Sequence, residues 1–159
     1  MDHLWSPWRY QYLTQSRPSD ACLFCAARDG SDAEHLVVHR AQLNFVLLNL
    51  YPYTSGHLMI APYEHVATLE AAAEETAEEM MRLVRASEEK LRAIYHPGGL
   101  NIGMNIGAAA GAGVAGHIHM HVVPRWAGDS NFMTTVGETR VMPEDIGVTY
   151  EKLTRAWRL

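Results

Sequence analysis

The chain has 159 residues, 48% of them hydrophobic and 19% charged, which is the composition of one compact domain with its own core. Its net charge of −5 argues against a long nucleic acid as partner. The sequence predicts neither a signal peptide nor a membrane span, so we expect a cytoplasmic protein in which Cys22 and Cys25 stay reduced.

The first half of the chain predicts a series of strands. Residues 35–39 and 44–49 are β-rich runs separated by a polar turn, which is typical of a hairpin. Turn-forming residues occupy 51–56, and residues 57–60 resume an extended apolar strand that Pro62 stops.

A helical pattern follows, with apolar residues at three- and four-residue steps from Thr68, a candidate N-cap, to Tyr95. Residues 100–105 predict a further short strand. A glycine-alanine loop then covers residues 107–116, and alternation resumes in a strand over residues 117–123.

This order of elements predicts an α+β fold, with an antiparallel sheet, one long helix and a closing C-terminal helix. We expect residues 21–142 to form the domain and residues 143–159 to form the closing helix, which packs on the same domain. Residues 1–20 carry prolines and aromatic anchors and are expected to form an arm that wraps the domain or a partner subunit.

Three histidines, His117, His119 and His121, alternate with apolar residues in the last predicted strand. Side chains two residues apart on a strand share one face, about 6.6–6.8 Å apart. Surface histidines on a strand edge, or a single buried histidine, would be a purely structural explanation of such residues. A His-x-His pair could also bind zinc as neutral imidazoles.

The glycine-alanine loop lies directly before these histidines. Its residues have almost no side chain, so backbone N–H groups such as those of Gly111 and Gly113 can approach an anion closely. A plain metal site leaves this loop unexplained. Amide donors beside an imidazole nucleophile, in contrast, are what nucleotidyl or phosphoryl transfer requires.

The sequence His117-Ile118-His119-Met120-His121-Val122-Val123 resembles the signature of the histidine-triad family, and the similarity covers about residues 22–126. Gly56-His57 and the strand that follows resemble the segment that brings a fourth histidine to that family's active site. The resemblance implies that His119 attacks the α-phosphorus of a nucleotide. It also implies that His121 donates to phosphate oxygens or the leaving group and that His57 makes a further contact there.

The resemblance also implies nucleotide-binding residues. Asn49 lies where the family places the residue that holds the ribose hydroxyls, and its neighbours Leu48 and Leu50 are similar to the base pocket. The phosphoramidate-hydrolase branch has a Gln-Ser pair in the glycine loop, where this chain has Ala112-Gly113-Val114. Phosphate binding is therefore expected to rest on the loop amides and on Asn105.

The stretches 4–9 and 124–133 look like the bacterial diadenosine tetraphosphate phosphorylase branch. This implies a small-molecule adenine nucleotide as substrate, a nucleotidyl-histidine intermediate and inorganic phosphate as acceptor. The alternatives are a hydrolase of nucleoside phosphoramidates or dinucleoside polyphosphates, and a non-catalytic nucleotide-sensing module. Family members generally pair across the sheet edge and the long helix, so at least a homodimer is expected.

Cys22-Leu23-Phe24-Cys25 is a C-x-x-C pair, and two cysteines alone cannot complete a tetrahedral metal site. Some bacterial histidine-triad proteins are similar here, and their zinc takes such a pair, a histidine corresponding to His65 and the first triad histidine, His117. The resemblance thus implies a structural zinc with four protein ligands. Two buried thiols, or a redox pair, are the alternatives.

Overall fold

The computed structural model describes residues 22–130 and 142–158, so the expected N-terminal arm lies outside the described residues. In chain order the elements are helix α1 (Leu23–Asp29), strands β1 (Val37–Arg40), β2 (Asn44–Leu48) and β3 (Leu58–Pro62), helix α2 (Glu74–Tyr95), strand β4 (Gly99–Met104), a 3₁₀ turn (Ala108–Ala110), strand β5 (Met120–Arg125) and helix α3 (Ile146–Arg158).

The five strands form one antiparallel sheet in the order β1-β2-β3-β5-β4, which confirms the predicted α+β class. The last strand in sequence, β5, lies between β3 and β4. Its pairing with β3 sets Met59 opposite His121. This insertion is what brings the segment around His57 beside the histidines at the start of β5.

The sheet separates two apolar clusters. The cluster on the α2 and α3 side includes Ile118, Val122 and the fully buried Leu153 of α3. The cluster on the α1 side contains Phe24, Ala27, Val37, Phe45, Leu47, Met59 and Ala61. Ile118 and Val122 thus face the long helices, and the alternation predicted from the sequence turns the three histidines to the α1 side.

Helix α2 begins at Glu74, and the predicted start at Thr68 is wrong. Ala73 precedes the helix with extended backbone angles (φ −61°, ψ 148°). Before it, the N–H groups of Ala71 and Ala72 donate to carbonyls three residues back, which forms isolated turns. Acidic Glu74 and Glu75 fill the first helical turn, where negative charge is favourable.

Strand β5 begins at Met120 rather than at His117, and it continues through Pro124 to Arg125. Pro124 lacks an N–H donor, but the sheet loses no hydrogen bond through it. The nitrogen and the carbonyl of Pro124 point to the same side of the strand, at a position beyond the end of the pairing with β3. There the carbonyl accepts a hydrogen bond from Thr54 Oγ1 at 2.8 Å. Helix α1 and the 3₁₀ turn were not predicted from the sequence.

Among the described residues no helix combines the length and the apolar character that crossing a lipid bilayer requires.

A buried carboxylate on α2 holds the β1–β2 turn. Glu79 accepts from the backbone N–H groups of Gln42, Leu43 and Asn44 at 3.2, 2.8 and 2.8 Å, and from Asn44 Nδ2 at 2.9 Å. Burial acts to raise the pKa of Glu79, but these hydrogen bonds together outweigh it, so the pKa is lowered. The ionised carboxylate is therefore the form that joins helix to sheet.

We expect Glu79→Gln to lower the free energy of unfolding by about 2–3 kcal/mol, because an amide offers one acceptor and turns two donors toward backbone N–H groups. Glu78→Gln is the matched control, since Glu78 is exposed and forms an ion pair with Arg82 at 3.6 Å; its change should stay within about 0.5 kcal/mol. Urea unfolding of both variants measures the difference. Equal stability of the two would contradict this role of Glu79.

Candidate active site

His119 is a buried histidine whose two ring nitrogens have different roles. Its Nδ1 lies 2.9 Å from the backbone carbonyl oxygen of His117. A carbonyl can only accept, so Nδ1 carries the proton and donates it. Burial lowers the pKa of His119, and this hydrogen bond offsets part of the effect, so the ring is neutral near pH 7. The Nε2 lone pair is consequently available as a nucleophile.

His57 and His121 form a direct pair, with Nε2 of His57 2.9 Å from Nδ1 of His121. The backbone N–H of Tyr53 donates to Nδ1 of His57 at 3.1 Å, so this nitrogen is the acceptor. Neutral His57 therefore carries its proton on Nε2 and donates a hydrogen bond from that nitrogen to His121. His121 accepts on Nδ1 and is left with its own proton on Nε2, the opposite tautomer to that of His119.

The position of His57 depends on the glycine before it. Gly56 has φ +80°, and a Cβ there would lie 3.0 Å from Leu91 and 3.1 Å from Tyr95, both on α2. The chain can therefore press against α2 and enter β3 with the His57 ring fully buried. Burial, together with the smaller effect of the neighbouring His119, lowers the pKa of His121 to about 4.

Asn49 lies beside this pair. Its backbone N–H donates to the His57 carbonyl at 3.0 Å, and its side-chain oxygen accepts from the Tyr51 N–H at 2.9 Å. Its Nδ2 lies 3.5 Å from Nδ1 of His57. Of its two neighbours, Leu48 is buried in the cluster on the α2 side, away from the histidines, whereas Leu50 is 55% exposed.

The glycine-alanine loop is partly folded on itself. The N–H of Gly111 donates to the Ala108 carbonyl at 2.9 Å, and those of Ala110 and Ala112 donate to Gly107 at 3.2 and 3.3 Å. These amides are thus engaged within the loop, so the amide of Gly111 can reach an anion only if that bond is shared or broken. Asn105 follows β4 directly, and continuing the register of Met104 with Met120 sets it level with His119.

A second group of side chains lies under α1. Sγ of Cys22 is 3.3 Å and Sγ of Cys25 is 3.8 Å from Nδ1 of His117, and Sγ of Cys25 is 3.3 Å from Nδ1 of His65. The four ligand atoms lie within 4.8 Å of one another. A tetrahedral zinc with two thiolates and two imidazoles has ligand-to-ligand edges of about 3.4–3.8 Å, so the spacing fits that ion.

His117 is oriented for the same purpose. Its Nε2 lies 2.9 Å from the Pro62 carbonyl, so Nε2 carries the proton and Nδ1 presents a lone pair to the two cysteines. A carbonyl that fixes the tautomer of a ligand histidine is the usual support around a zinc ion. The structure thus brings together the four residues that the resemblance implies as ligands.

Three residues near the histidines were missed in the sequence analysis. The Phe24 ring lies 4.6 Å from the His119 ring and 5.1 Å from the His117 ring, measured between centroids. Leu47 is buried on the α1 side, in the same apolar cluster as Phe24. Tyr53 packs on His57 at 4.7 Å. For Leu47 the available signal was strand alternation, since it lies two residues before Asn49.

The family model of the HIT domain matches residues 31–128 of this chain. A curated relative, the AP-4-A phosphorylase of Mycobacterium tuberculosis, is 38% identical over 165 residues, covering 99% of this chain and 85% of that protein. The asymmetrical bis(5'-nucleosyl)-tetraphosphatase of Schizosaccharomyces pombe is 28% identical over 93 residues, covering 58% of this chain and 50% of that protein.

Among solved structures, a Zn-bound histidine triad family protein from Mycobacterium smegmatis has a TM-score of 0.70 and 29% identity, covering 87% of this chain and 94% of its own. A hypothetical histidine triad nucleotide-binding protein from Sulfolobus tokodaii has a TM-score of 0.68 and 24% identity, covering 86% of this chain and 92% of its own. It has the same fold as this chain.

We expect the His121 ring to stay neutral at pH 5, where an ordinary histidine is mostly protonated. Because its folded pKa of about 4 lies below the usual 6.5, its contribution to stability is complete above pH 6.5 and is lost as the pH falls toward 4. Ring NMR signals of isotope-labelled histidine, assigned with His121→Gln, measure the midpoint. A midpoint near 6.5 would contradict the burial argument.

Proposed function

Because this chain belongs to the HIT domain family and is a nucleotide-processing enzyme, we propose that it transfers a nucleoside monophosphate from a dinucleoside polyphosphate to inorganic phosphate. The proposed substrate is diadenosine tetraphosphate, and the intermediate is a nucleotidyl group on His119. The opposite tautomers of His119 and His121 carry the proposal: one ring presents a lone pair, and its neighbour presents an N–H.

In the first step Nε2 of His119 attacks the α-phosphorus and forms a P–N bond. The bond from that phosphorus to the bridging oxygen breaks, and its electron pair leaves with the nucleoside triphosphate. The His119 ring then carries a positive charge, with its proton still on Nδ1. The His117 carbonyl oxygen, 2.9 Å from Nδ1, accepts a hydrogen bond from this N–H and stabilises the charge.

His121 acts on the leaving side as a hydrogen-bond donor. Its pKa of about 4 means that the ring is neutral, so it donates a hydrogen bond from Nε2 but no complete proton. A polyphosphate departs as an anion and needs only that hydrogen bond. The amine of a phosphoramidate, in contrast, must be protonated as it leaves, which makes the phosphoramidate hydrolase the weaker alternative here.

In the second step an acceptor oxygen attacks the phosphorus, the P–N bond breaks, and its electron pair returns to Nε2 of His119. Phosphate dianion can attack without losing a proton. Water must lose one, and neutral His121, with Nδ1 occupied by the proton of His57, is a poor base for it. We therefore propose phosphate as acceptor, and adenosine diphosphate and adenosine triphosphate as the products.

The nucleotide is held by groups around this pair. Asn49 would bind the ribose hydroxyls, and exposed Leu50 would contact the base. Asn105 and the Gly113 amide would bind phosphate oxygens, and Gly111 would join them if its bond to Ala108 is shared. Leu48 is better placed to support the strand from the core than to contact the base.

A structural zinc at Cys22, Cys25, His65 and His117 fits the donor set and its spacing, and the Zn-bound relative from Mycobacterium smegmatis supports it. With four protein ligands the ion would supply structure rather than an activated water. It would fix α1, and with it Phe24, against the segment that carries His119.

We propose that two copies of the chain form a homodimer by pairing through β4. This strand is one edge of the described sheet, and its Ile102 is 44% exposed. On α2, Met81 is also exposed. An open strand edge with an apolar side chain favours pairing with a second copy.

We expect His119→Ala to lower kcat for diadenosine tetraphosphate on the order of 10³-fold or more, because the covalent route is lost and only positioning and hydrogen bonding remain. Nucleotide affinity, measured by calorimetry, should change little. Chromatography of the wild-type reaction should show adenosine diphosphate and adenosine triphosphate in equal amounts, and only with phosphate present. Adenosine monophosphate formed at the same rate without phosphate would indicate a hydrolase.

Zinc binding is tested by His65→Asn, with His96→Asn as the matched control. Both histidines are exposed, and His96 ends α2 in a left-handed conformation that asparagine tolerates. Wild type and His96→Asn should hold about one zinc per chain by elemental analysis after gel filtration. His65→Asn should lose most of it and unfold at a lower temperature. Metal-free wild type of unchanged stability would contradict the structural zinc.

A further inference from the structure

A group of exposed apolar side chains lies next to the histidine pair, in the segment Leu50–Tyr53, which we call the rim loop. Leu50, which would contact the base of the transferred nucleotide, is 55% exposed, and after it Tyr51 is 57% and Tyr53 37% exposed. Large apolar side chains with this much exposure are few among the described residues, and here three occur within four positions. Large exposed apolar side chains that are close together in one loop favour a binding surface.

The rim loop is continuous with the leaving-group side of the site. The Tyr53 ring lies 4.7 Å from the His57 ring and 6.3 Å from the His121 ring, and it is inclined only 26° to the latter. His121 is the residue proposed to donate to the leaving group. A polyphosphate chain leaving past His121 therefore passes the rim loop.

The backbone of the rim loop is fixed to the same histidines. The Tyr51 N–H donates to the Asn49 side chain at 2.9 Å, and the Tyr53 N–H donates to His57 at 3.1 Å. A surface that is already ordered loses little conformational entropy when a ligand binds. The rim loop is thus preorganised for a flat apolar ligand.

The rim loop itself carries no charge, and the carboxylates nearest to it, Glu144 and Asp145, line the cleft on its Leu50 and Pro52 side. Residues 43–57 contain no aspartate, glutamate, lysine or arginine, so the loop neither repels a polyphosphate nor binds it tightly by itself. The tyrosine rings are instead suited to stacking, because every nucleobase has a π-face.

We propose that the rim loop binds the second nucleobase of a dinucleoside polyphosphate, the base of the leaving nucleotide, by stacking on Tyr51 and Tyr53. This inference rests on the proposed function and adds to it a specificity-determining surface. Stacking recognises the presence of a base rather than its hydrogen-bonding edge. The leaving nucleotide is consequently selected for carrying a base, with weak preference for which one.

The test compares diadenosine tetraphosphate with adenosine tetraphosphate, which has the same phosphate chain but lacks the second nucleoside. The wild-type kcat/KM should favour the dinucleotide by about tenfold after the twofold statistical advantage of its symmetry is removed. Tyr51→Ala should reduce this preference close to one. Tyr51→Phe should retain it, because phenylalanine keeps the ring. Leu69→Ala, an exposed apolar residue outside the rim loop, is the control and should leave the preference unchanged.

An equal loss of kcat/KM for both substrates in Tyr51→Ala would overturn the inference, since it would show a role in holding Asn49 and His57. A wild type without preference would also overturn it. Failure of the proposed function is distinguishable, because then neither substrate would be turned over and no nucleotidyl group would form on His119.

Discussion

The chemistry of this site depends on hydrogen bonds between histidine rings and the backbone. The His117 carbonyl fixes the proton of His119 on Nδ1, the Pro62 carbonyl fixes that of His117 on Nε2, and the Tyr53 N–H fixes that of His57 on Nε2. Each of these three rings is thereby held in one tautomer. The hydrogen bond from His57 then determines the tautomer of His121. Four similar side chains acquire different chemical roles because the backbone treats each of them differently.

Helix α1 couples the candidate metal site to the nucleophile over a short distance. Cys22 and Cys25 lie on either side of Phe24, whose ring contacts both His117 and His119. Because His117 belongs to the triad and also faces the cysteines, the same strand segment serves both sites. An ion at the cysteines would therefore order the cover over His119 without touching the substrate.

The parts of the fold that were predictable from the sequence are those set by local periodicity. Alternation over residues 117–121 gave the correct facing of the histidines, although β5 begins only at Met120. The predicted helix start at Thr68 was wrong because Leu69 continues the apolar spacing of the helix. Leu69 is nevertheless 44% exposed, so no packing against the core requires a helix there. The role of Glu79 could not be predicted from the sequence, since its partners are backbone groups of a distant turn.

The candidate site was accessible from the sequence to a similar degree. Residue types and spacing identified the histidines, and the family resemblance supplied Asn49 and the four candidate ligands of a zinc ion. The tautomers of the histidines could not be predicted from the sequence, because they depend on where the Pro62 carbonyl and the Tyr53 N–H lie after folding.

The trapped intermediate itself shows whether Nε2 of His119 is the nucleophile. Wild-type protein with ¹⁵N-labelled histidine would be mixed with diadenosine tetraphosphate without phosphate and quenched in base, and the P–N linkage would be located by ³¹P–¹⁵N NMR and peptide mass spectrometry. We expect one nucleotidyl group, bonded to Nε2 of His119. A linkage through Nδ1, or to His57 or His121, would contradict it.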